Sequence, residues 1–384
     1  AGYDYETGDY TLVVDQPFFA LPAEPNLPWP ADGAGIDTLP VVLSWNGIVP
    51  EATIPDVDQS ITRPAPGRVV GPTTIYGNDD RTEDYEVTDP RALAVGEATA
   101  MLMYRHDLLD NGDGTYELQI KSLAWWYAWL DPIETGNPLC DDEPFRDQPA
   151  IGTCTGVLVG SDLVATAGHC VACLEASLLA VVFGYVMEDA ETAVVTLRQD
   201  QVYEVAEVVA SQAGSPDWGL VRLDRDVTGR SPLRLRRTGR VVDGQPLLVV
   251  GHPWGLPRKY DAGAVVRENA ESTFFQANLD TYRGNSGSPV VNLDTMVVEG
   301  LLTRGMPEFV EDVAWGCDRS MTCPDTGCVE DGVPQWEDVT RATTFSEAVL
   351  AFDVYLGVDP NQLDWVGGNL VVPRYEPTSL RKDA

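Results

Sequence analysis

The residues Arg283-Gly284-Asn285-Ser286-Gly287-Ser288-Pro289 place a serine in a glycine-rich stretch. A serine hydroxyl is a poor nucleophile unless a base removes its proton and hydrogen-bond donors stabilise the oxyanion that forms. Glycines on either side let the backbone turn tightly, so the N–H groups of Gly284 and Ser286 can point at one spot. Taken alone, the stretch leaves open a plain glycine–serine turn between two strands.

Two further stretches contain the other groups that such a serine needs. Ala165-Thr166-Ala167-Gly168-His169-Cys170 holds His169 among small residues, where it could act as a general base in one orientation. Pro216-Asp217-Trp218-Gly219-Leu220-Val221 sets Asp217 directly before an apolar strand, so the acid can enter the interior and orient an imidazole. Taken singly, the first could be a core histidine or half of a metal site, and the second a surface turn.

The three stretches together resemble the chymotrypsin-like serine peptidases. The shared features are the histidine block, the aspartate block and Gly-Asn-Ser-Gly-Ser-Pro, in the order His, Asp, Ser. Within that family, Gly77-Asn78-Asp79-Asp80-Arg81 and Gly251-His252-Pro253-Trp254-Gly255-Leu256-Pro257 are similar to parts of bacterial trypsin-like and glutamyl-endopeptidase-like enzymes. The resemblance covers about residues 74–350.

The resemblance implies a role for each matching residue and requires no cofactor and no metal. His169 is expected to be the general base, Asp217 its orienting partner and Ser286 the nucleophile, with the N–H groups of Gly284 and Ser286 forming the oxyanion hole. His106 and His252 receive no catalytic role from the resemblance. Asn285 stands where the animal enzymes have an aspartate that pairs with a new N-terminus, so that ion pair cannot form here.

Composition and pattern favour an all-β fold. The chain of 384 residues has 35 glycines and 28 prolines, which suit many turns better than a helical bundle. Leu109–Thr115 predicts a hairpin, and Thr344–Phe352 has helical spacing. The strand candidates are Gly156–Val159, Ala180–Val186, Ala193–Arg198, Leu220–Leu223, Leu247–Val250 and Met296–Leu302. The resemblance implies two antiparallel six-stranded barrels with the catalytic residues in the cleft between them, and a peptidase domain over residues 74–384.

Residues 1–73 form a proline-rich N-terminal extension in this interpretation. Its aromatic side chains, among them Trp29 and Trp45, predict an extended segment that packs onto the rest of the molecule. Two roles remain open: a pro-segment of a zymogen, cleaved near Arg68-Val69-Val70-Gly71, or a permanent structural extension.

The net charge and the cysteines indicate the cellular compartment of the protein and the classes of partner it can bind. The formal net charge of −35 would repel nucleic acid and anionic membranes, and the longest apolar run is too short to cross a bilayer. The charge fits either a hydrated extracellular surface or adaptation to salt or divalent cations. Grouped cysteines suggest disulfides and a secreted or periplasmic protein, although Cys170 and Cys173 also have zinc-like spacing.

The resemblance implies a disulfide between Cys154 and Cys170. Cys140 with Cys173, and one bond among three later cysteines, are further expectations; those later cysteines are Cys317, Cys323 and Cys328. The odd total of seven leaves one thiol unpaired within the chain or paired with another chain.

Substrate specificity rests on Asp280, six residues before Ser286. Trypsin-like enzymes carry an aspartate at the equivalent position that pairs with arginine or lysine at P1, although Asp280 could also end a strand in a solvated turn. The stretch 300–305 lacks the histidine of the glutamyl-specific enzymes, which argues against acidic P1. The other predicted substrate-binding residues are Thr281, Arg283, Thr303 and Arg304; either arginine could bind acidic substrate residues.

The sequence therefore predicts a secreted, monomeric bacterial serine endopeptidase that acts on polypeptides and prefers basic P1. Three alternatives remain: an enzyme of the same fold with acidic P1, a catalytically silent peptidase-like binding protein, and a chaperone-protease. The last would need a peptide-binding domain after the peptidase, and no such domain is evident.

Overall fold

The computed structural model describes residues 74–130, 136–172, 174–330, 332–353, 364–366 and 369–371. All of them belong to one of the two units into which the chain divides, Pro64–Ala384. The predicted extension, residues 1–73, and Cys173 lie outside the described residues.

Short strands make up most of the described structure. The helices are α1 (Pro90–Ala98), α2 (Leu123–Leu130) and α3 (Ser346–Asp353). In the first half the strands are β1 (Ile75–Tyr76), β2 (Thr82–Glu83), β3 (Thr99–Tyr104), β4 (Leu108–Asp110), β5 (Thr115–Leu118), β6 (Lys121–Ser122), β7 (Pro149–Ala150), β8 (Cys154–Leu158), β9 (Leu163–Thr166), β10 (Leu179–Phe183), β11 (Thr196–Arg198), β12 (Val202–Gln212) and β13 (Trp218–Leu223). In the second half they are β14 (Leu247–Gly251), β15 (Lys259–Asp261), β16 (Val266–Glu268), β17 (Phe274–Ala277), β18 (Pro289–Asn292), β19 (Val298–Arg304), β20 (Phe309–Asp312), β21 (Cys317–Ser320), β22 (Thr322–Cys323), β23 (Cys328–Glu330), β24 (Val333–Gln335), β25 (Glu337–Arg341), β26 (Asp364–Val366) and β27 (Asn369–Val371). Among the described helices, none combines the length and apolar character needed to span a membrane.

The first half of the described chain forms a closed, antiparallel barrel of six strands. Their order is β10, β12, β13, β9, β8 and β3, and β3 pairs back to β10. β-Branched and aromatic residues dominate the strands; in β10, for example, Leu-Ala-Val-Val-Phe is buried throughout. Side chains such as Leu158, Phe183 and Tyr203 fill the interior. Closure removes exposed strand edges and gives a rigid frame for the loops that follow β9 and precede β13.

The second half of the described chain, together with β2 from the first half, forms a sheet of eight strands in the order β16, β17, β25, β19, β18, β14, β15, β2. Its core includes Leu247, Phe275 and Leu302. An antiparallel bridge between Pro246 and Val265 brings β16 back beside the start of β14. The pairing there is limited to this isolated bridge, so the second barrel is less completely closed than the first.

Several predictions about the fold are confirmed. The all-β class, the double-barrel architecture and the short C-terminal helix are present, with one closed six-stranded barrel and one half-barrel in place of two closed barrels. The hairpin at Leu109–Thr115 joins β4 to β5. Five of the six strand candidates differ from the observed strands by a few residues at their ends. The sixth, Ala193–Arg198, keeps only its last three residues, because a bridge from Met187 to Ala193 replaces a continuous ladder.

Three disulfides link the described cysteines: Cys154–Cys170, Cys140–Cys317 and Cys323–Cys328. The expected pairing of Cys140 with Cys173 is wrong. The Cys140 N–H donates to the carbonyl of Asp318 at 2.9 Å, which holds Cys140 beside Cys317 although 177 residues separate the two cysteines. The expected bond among the last three cysteines is Cys323–Cys328.

Candidate active site

His169 lies on a single 3₁₀ turn, Gly168–Cys170, that directly follows the barrel strand β9. The disulfide between Cys154 and Cys170 ties this turn to the start of β8. Cys170 is buried, whereas the His169 side chain keeps 28% of its surface exposed. The disulfide and the buried Cys170 therefore hold the turn in place, while part of the His169 side chain remains accessible to solvent.

The Asp217 carboxylate holds His169 through two hydrogen bonds. The His169 backbone N–H donates to Asp217 Oδ1 at 3.0 Å, and the ring atom Nδ1 lies 2.8 Å from Oδ2. Asp217 is buried and immediately precedes β13. A carboxylate at Nδ1 favours the tautomer whose proton lies on Nδ1, which leaves the lone pair of Nε2 to act as a base.

Ser286 lies beside the turn that carries His169. The Thr155 N–H donates to the Ser286 carbonyl oxygen at 2.8 Å, and Cys170 Sγ lies 3.8 Å from the same oxygen. The backbone angle φ is +92° at Gly284 and +88° at Gly287, values that favour glycine. A Cβ atom on Gly287 would also collide with backbone atoms of Thr155 and Ala167, so the glycines permit the close approach of the two barrels.

The N–H groups around Ser286 fall into two sets. Those of Arg283, Asn285, Gly287 and Ser288 donate to protein acceptors. Within the described part of the chain, the N–H groups of Gly284 and Ser286 have no acceptor. Two unengaged donors on alternate residues are what an oxyanion hole requires.

Thr155 belongs to this arrangement, and no sequence motif indicated it. Its Oγ1 donates to the Gly284 carbonyl at 2.8 Å and accepts the His252 N–H at 3.0 Å. It thus joins the first barrel to the serine loop on the second. A threonine inside the strand β8 has no local signal for such a role, because the pairing depends on how the barrels meet.

The carboxylate of Asp280 is buried and engaged by backbone donors. Oδ1 accepts the Tyr76 N–H at 2.7 Å, and Oδ2 accepts the Asp80 N–H at 3.1 Å. The Asp280 N–H in turn donates to Asp261 Oδ2 at 2.9 Å. Asp280 therefore fastens the segment 76–80 onto the second sheet, and its predicted contact with substrate stays a prediction.

Two of the other predicted substrate-binding residues are buried threonines. Thr281 Oγ1 lies 3.3 Å from Glu337 Oε2, and Thr303 Oγ1 donates to the Asp338 carbonyl at 3.2 Å. Glu337, the first residue of β25, was not singled out from the sequence. It lies near Thr281 because β25 pairs with β17, in which Ala277 faces Glu337, and with β19 on its other side.

The two arginines lie at more accessible positions. Arg283 is half-exposed, lies over the Trp254 ring at 5.1 Å and has Glu308 Oε1 3.4 Å from its Nε. Arg304 donates to the Gly214 carbonyl, and its Nε is 4.0 Å from Asp338 Oδ2. Each arginine thus has an acidic neighbour, which reduces its attraction for acidic residues of a substrate.

The remaining histidines and the possible zinc site have structural explanations. His252 is buried, its Nδ1 lies 3.0 Å from the Leu256 carbonyl oxygen, and burial lowers its pKa to about 3. His106 is exposed beside Asp107. Ligand atoms of Cys154, His169 and Cys170 lie within 4.8 Å of one another, but the two sulfurs are joined in a disulfide and offer no thiolate for a metal.

Asp261 and Asp280 make a testable contribution to the pH dependence of the free energy of unfolding. Burial raises the pKa of Asp261 to about 6, and burial together with the charge of Asp261 raises that of Asp280 to about 8. Because both values exceed those of the unfolded chain, the folded protein binds more protons between about pH 4 and pH 8. The pair therefore lowers the free energy of unfolding as the pH rises through this window.

We expect Asp261→Asn to reduce the decline of the free energy of unfolding as the pH rises from about 4 to about 8. Urea unfolding at a series of pH values measures this slope. Asp226→Asn, at an exposed aspartate, is the matched control and should leave the slope unchanged. Equal slopes for wild type and Asp261→Asn would contradict the assignment.

A family model matches the part of the chain that contains the candidate site. Residues 154–301, which include His169, Asp217 and Ser286, match the family model of the trypsin-like peptidase domain. No curated protein matches the sequence.

Three solved structures align with most of the chain, each with low identity and a TM-score below 0.5. A Glu endopeptidase in complex with MPD is 16% identical, with 73% of this chain and 100% of that chain covered and a TM-score of 0.41. Human heparin binding protein is 14% identical, with coverage of 74% and 100% and a TM-score of 0.42. The Vibrio cholerae VesB protease is 13% identical, with coverage of 74% and 68% and a TM-score of 0.41. The family model alone identifies residues 154–301 as a trypsin-like peptidase domain.

Proposed function

We propose that this protein is a serine endopeptidase in which His169, Asp217 and Ser286 form the catalytic triad. The observation that carries the proposal is the pair of hydrogen bonds between His169 and the buried Asp217. They lie beside the serine loop, in which the N–H groups of Gly284 and Ser286 have no acceptor among the described residues. A structural histidine would not need a buried carboxylate on both its backbone and its ring.

The chemistry follows from these positions. His169 Nε2 removes the proton of Ser286 Oγ as that oxygen attacks the carbonyl carbon of the scissile peptide bond. The oxyanion that forms receives hydrogen bonds from the N–H groups of Gly284 and Ser286. His169 then protonates the leaving amine, the C–N bond breaks, and water hydrolyses the acyl-enzyme by the same steps. Asp217 keeps the ring oriented and stabilises its protonated form.

The proposed substrates are polypeptides with arginine or lysine at P1. Two features support this choice: buried carboxylates lie near the serine loop, and residues 300–305 contain no histidine. We further propose that the protein is secreted, because three disulfides suit an oxidising compartment. We also propose that it acts as a monomer. Residues 1–73 are proposed as its pro-segment, with a permanent extension as the alternative.

A fluorophosphonate probe tests the proposal on the full-length chain. The reagent phosphonylates a serine only when a base and an oxyanion hole activate its hydroxyl. We expect one label per chain, which peptide mass spectrometry places on Ser286, and competition for labelling by a peptide substrate. A folded protein that takes up no label and cleaves no peptide from a library would instead be a silent peptidase-like binding protein.

A further inference from the structure

A cavity of about 310 Å³ is lined by α3, by Val159 and by the segment 232–237, which lies in the connection from β13 to β14. The Leu233 N–H donates to the Leu158 carbonyl of β8 at 2.9 Å, which holds this segment against the first barrel. Among the described residues that line the cavity, none belongs to the candidate active site. The volume is at the lower end of the range for small-molecule sites, about 300–1,000 Å³.

Most of the described residues that line the cavity are apolar. They are Val159, Pro232, Leu233, Leu235, Val349 and Leu350. Val159 and Val349 belong to a buried cluster that includes Trp218 and Phe345, and Leu233 and Leu235 pack against the same cluster. The apolar lining is therefore anchored in the core, and it offers a fixed surface against which an apolar group of a ligand can be buried.

Two arginines, Arg234 and Arg237, also line the cavity, and both are exposed. Within the described part of the chain, neither side chain has a hydrogen-bond acceptor or an acidic partner. The neighbouring Arg236, in contrast, pairs with Glu299. In a chain with 60 acidic and 25 basic residues, acidic partners for an arginine are abundant. Two arginines that stay unpaired at one cavity therefore give it a local positive charge that attracts an anion.

Ser346, the first residue of α3, is the third polar residue of the lining. It is 2% exposed, and its Oγ has no hydrogen-bond partner among the described residues. A buried hydroxyl without a partner destabilises the folded chain, since it gives up hydrogen bonds to water and gains none. A ligand that accepts a hydrogen bond from Ser346 removes this cost. The partial positive charge at the N-terminus of α3 adds to the attraction for an anion.

We propose that this cavity binds a small organic carboxylate with an apolar body. The carboxylate accepts hydrogen bonds from Arg234, Arg237 and Ser346, and the apolar body packs against the buried cluster at Val159 and Val349. Acetate would satisfy only the polar residues of the lining, and a neutral alcohol only the apolar ones. The proposal does not depend on the proposed peptidase chemistry, because the cavity shares no residue with that site.

Isothermal titration calorimetry on the full-length chain tests the proposal with two carboxylates. Octanoate represents a fatty acid, and N-acetylleucine represents the C-terminus of a peptide with an apolar last residue. We expect at least one of them to bind at one site per chain, at least about tenfold more tightly than acetate and than 1-octanol. The tighter of the two carboxylates identifies the source of the ligand. If neither carboxylate binds, or if acetate or 1-octanol binds as tightly as both, the proposal is wrong.

Arg234→Gln and Arg237→Gln each remove one charge from the lining of the cavity. Each variant should weaken binding of the tighter carboxylate by at least about fivefold, because hydrogen bonds between arginine and a carboxylate are charge-assisted. Arg240→Gln is the matched control, since Arg240 is exposed in the same connection and does not line the cavity. This control should bind within about twofold of wild type. Equal losses in all three variants would show general attraction of anions to a basic segment and would overturn the proposal.

Ser346→Ala tests the buried hydroxyl without a change of charge. It should weaken binding of the carboxylate by about threefold or more. The free energy of unfolding in urea, measured without ligand, should not fall, because the hydroxyl has no hydrogen bond to lose. An unchanged affinity in Ser346→Ala would count against the proposal. None of these measurements requires peptidase activity, so a failure of the proposed function and a failure of this proposal are distinguishable.

Discussion

Ser286→Ala is expected to lower kcat for peptide hydrolysis by about 10⁴- to 10⁶-fold, the range seen when a triad nucleophile is removed. In the proposed mechanism the serine hydroxyl provides the atom that forms the acyl-enzyme, and alanine would leave only substrate binding and the two proposed N–H donors of the oxyanion hole. The fold should persist, because the hydrogen bonds around Ser286 use its carbonyl group, which alanine retains. Steady-state kinetics and circular dichroism measure the two effects.

Ser288→Ala is the matched control, since this serine lies in the same loop and is also buried. Its hydroxyl donates only to Asn285 Oδ1, at 3.3 Å. Loss of one neutral hydrogen bond should reduce activity by less than about tenfold. Near-normal turnover by Ser286→Ala, or equal losses in the two variants, would rule out Ser286 as the nucleophile.

Asp217→Asn is expected to reduce kcat/KM by about 10⁴-fold at neutral pH. The carboxylate accepts from both the backbone N–H and the ring Nδ1 of His169, whereas an amide has only one oxygen to accept with. The amide NH₂ group would then face one of these two donors, which disfavours the tautomer that leaves Nε2 free as a base. The rate of fluorophosphonate labelling should fall in parallel.

Asp226→Asn serves again as the control for an aspartate outside the site. Asp226 is exposed, and its Oδ1 accepts from Ser161 on the surface of the first barrel. Its variant should keep wild-type kinetics within about twofold. An Asp217→Asn enzyme that remains as active as this control would show that His169 needs no carboxylate partner.

Short stretches of sequence predicted the centre of the candidate site. Each of the three stretches meets a local requirement that neighbouring residues reveal. The backbone must turn tightly at Ser286 and His169, which needs glycines or small residues, and Asp217 must enter the interior, which needs an apolar strand after it. The turn, the strand end and the serine loop lie where such local rules place them. The family resemblance predicted the disulfide between Cys154 and Cys170, which joins two elements close in sequence.

The contacts that cross between distant segments were decided by the tertiary structure. Cys140 pairs with Cys317 because a backbone hydrogen bond aligns two segments 177 residues apart, which no local spacing reports. Thr155 likewise reaches the serine loop only where the barrels meet.

The buried carboxylates of Asp280 and Glu337 show the same division. Counting residues back from Ser286 identified Asp280. In the folded chain, both of its carboxylate oxygens accept backbone N–H groups of the segment 76–80. Glu337 reaches Thr281 because β25 pairs with β17, in which Ala277 faces Glu337, and with β19. The sequence by itself determined which residues can perform the chemistry, because nucleophile, base and turn need particular side chains. Only the tertiary structure decided which buried carboxylates lie close to Thr281 and to the segment 76–80, because that depends on strand pairing between residues far apart in the chain.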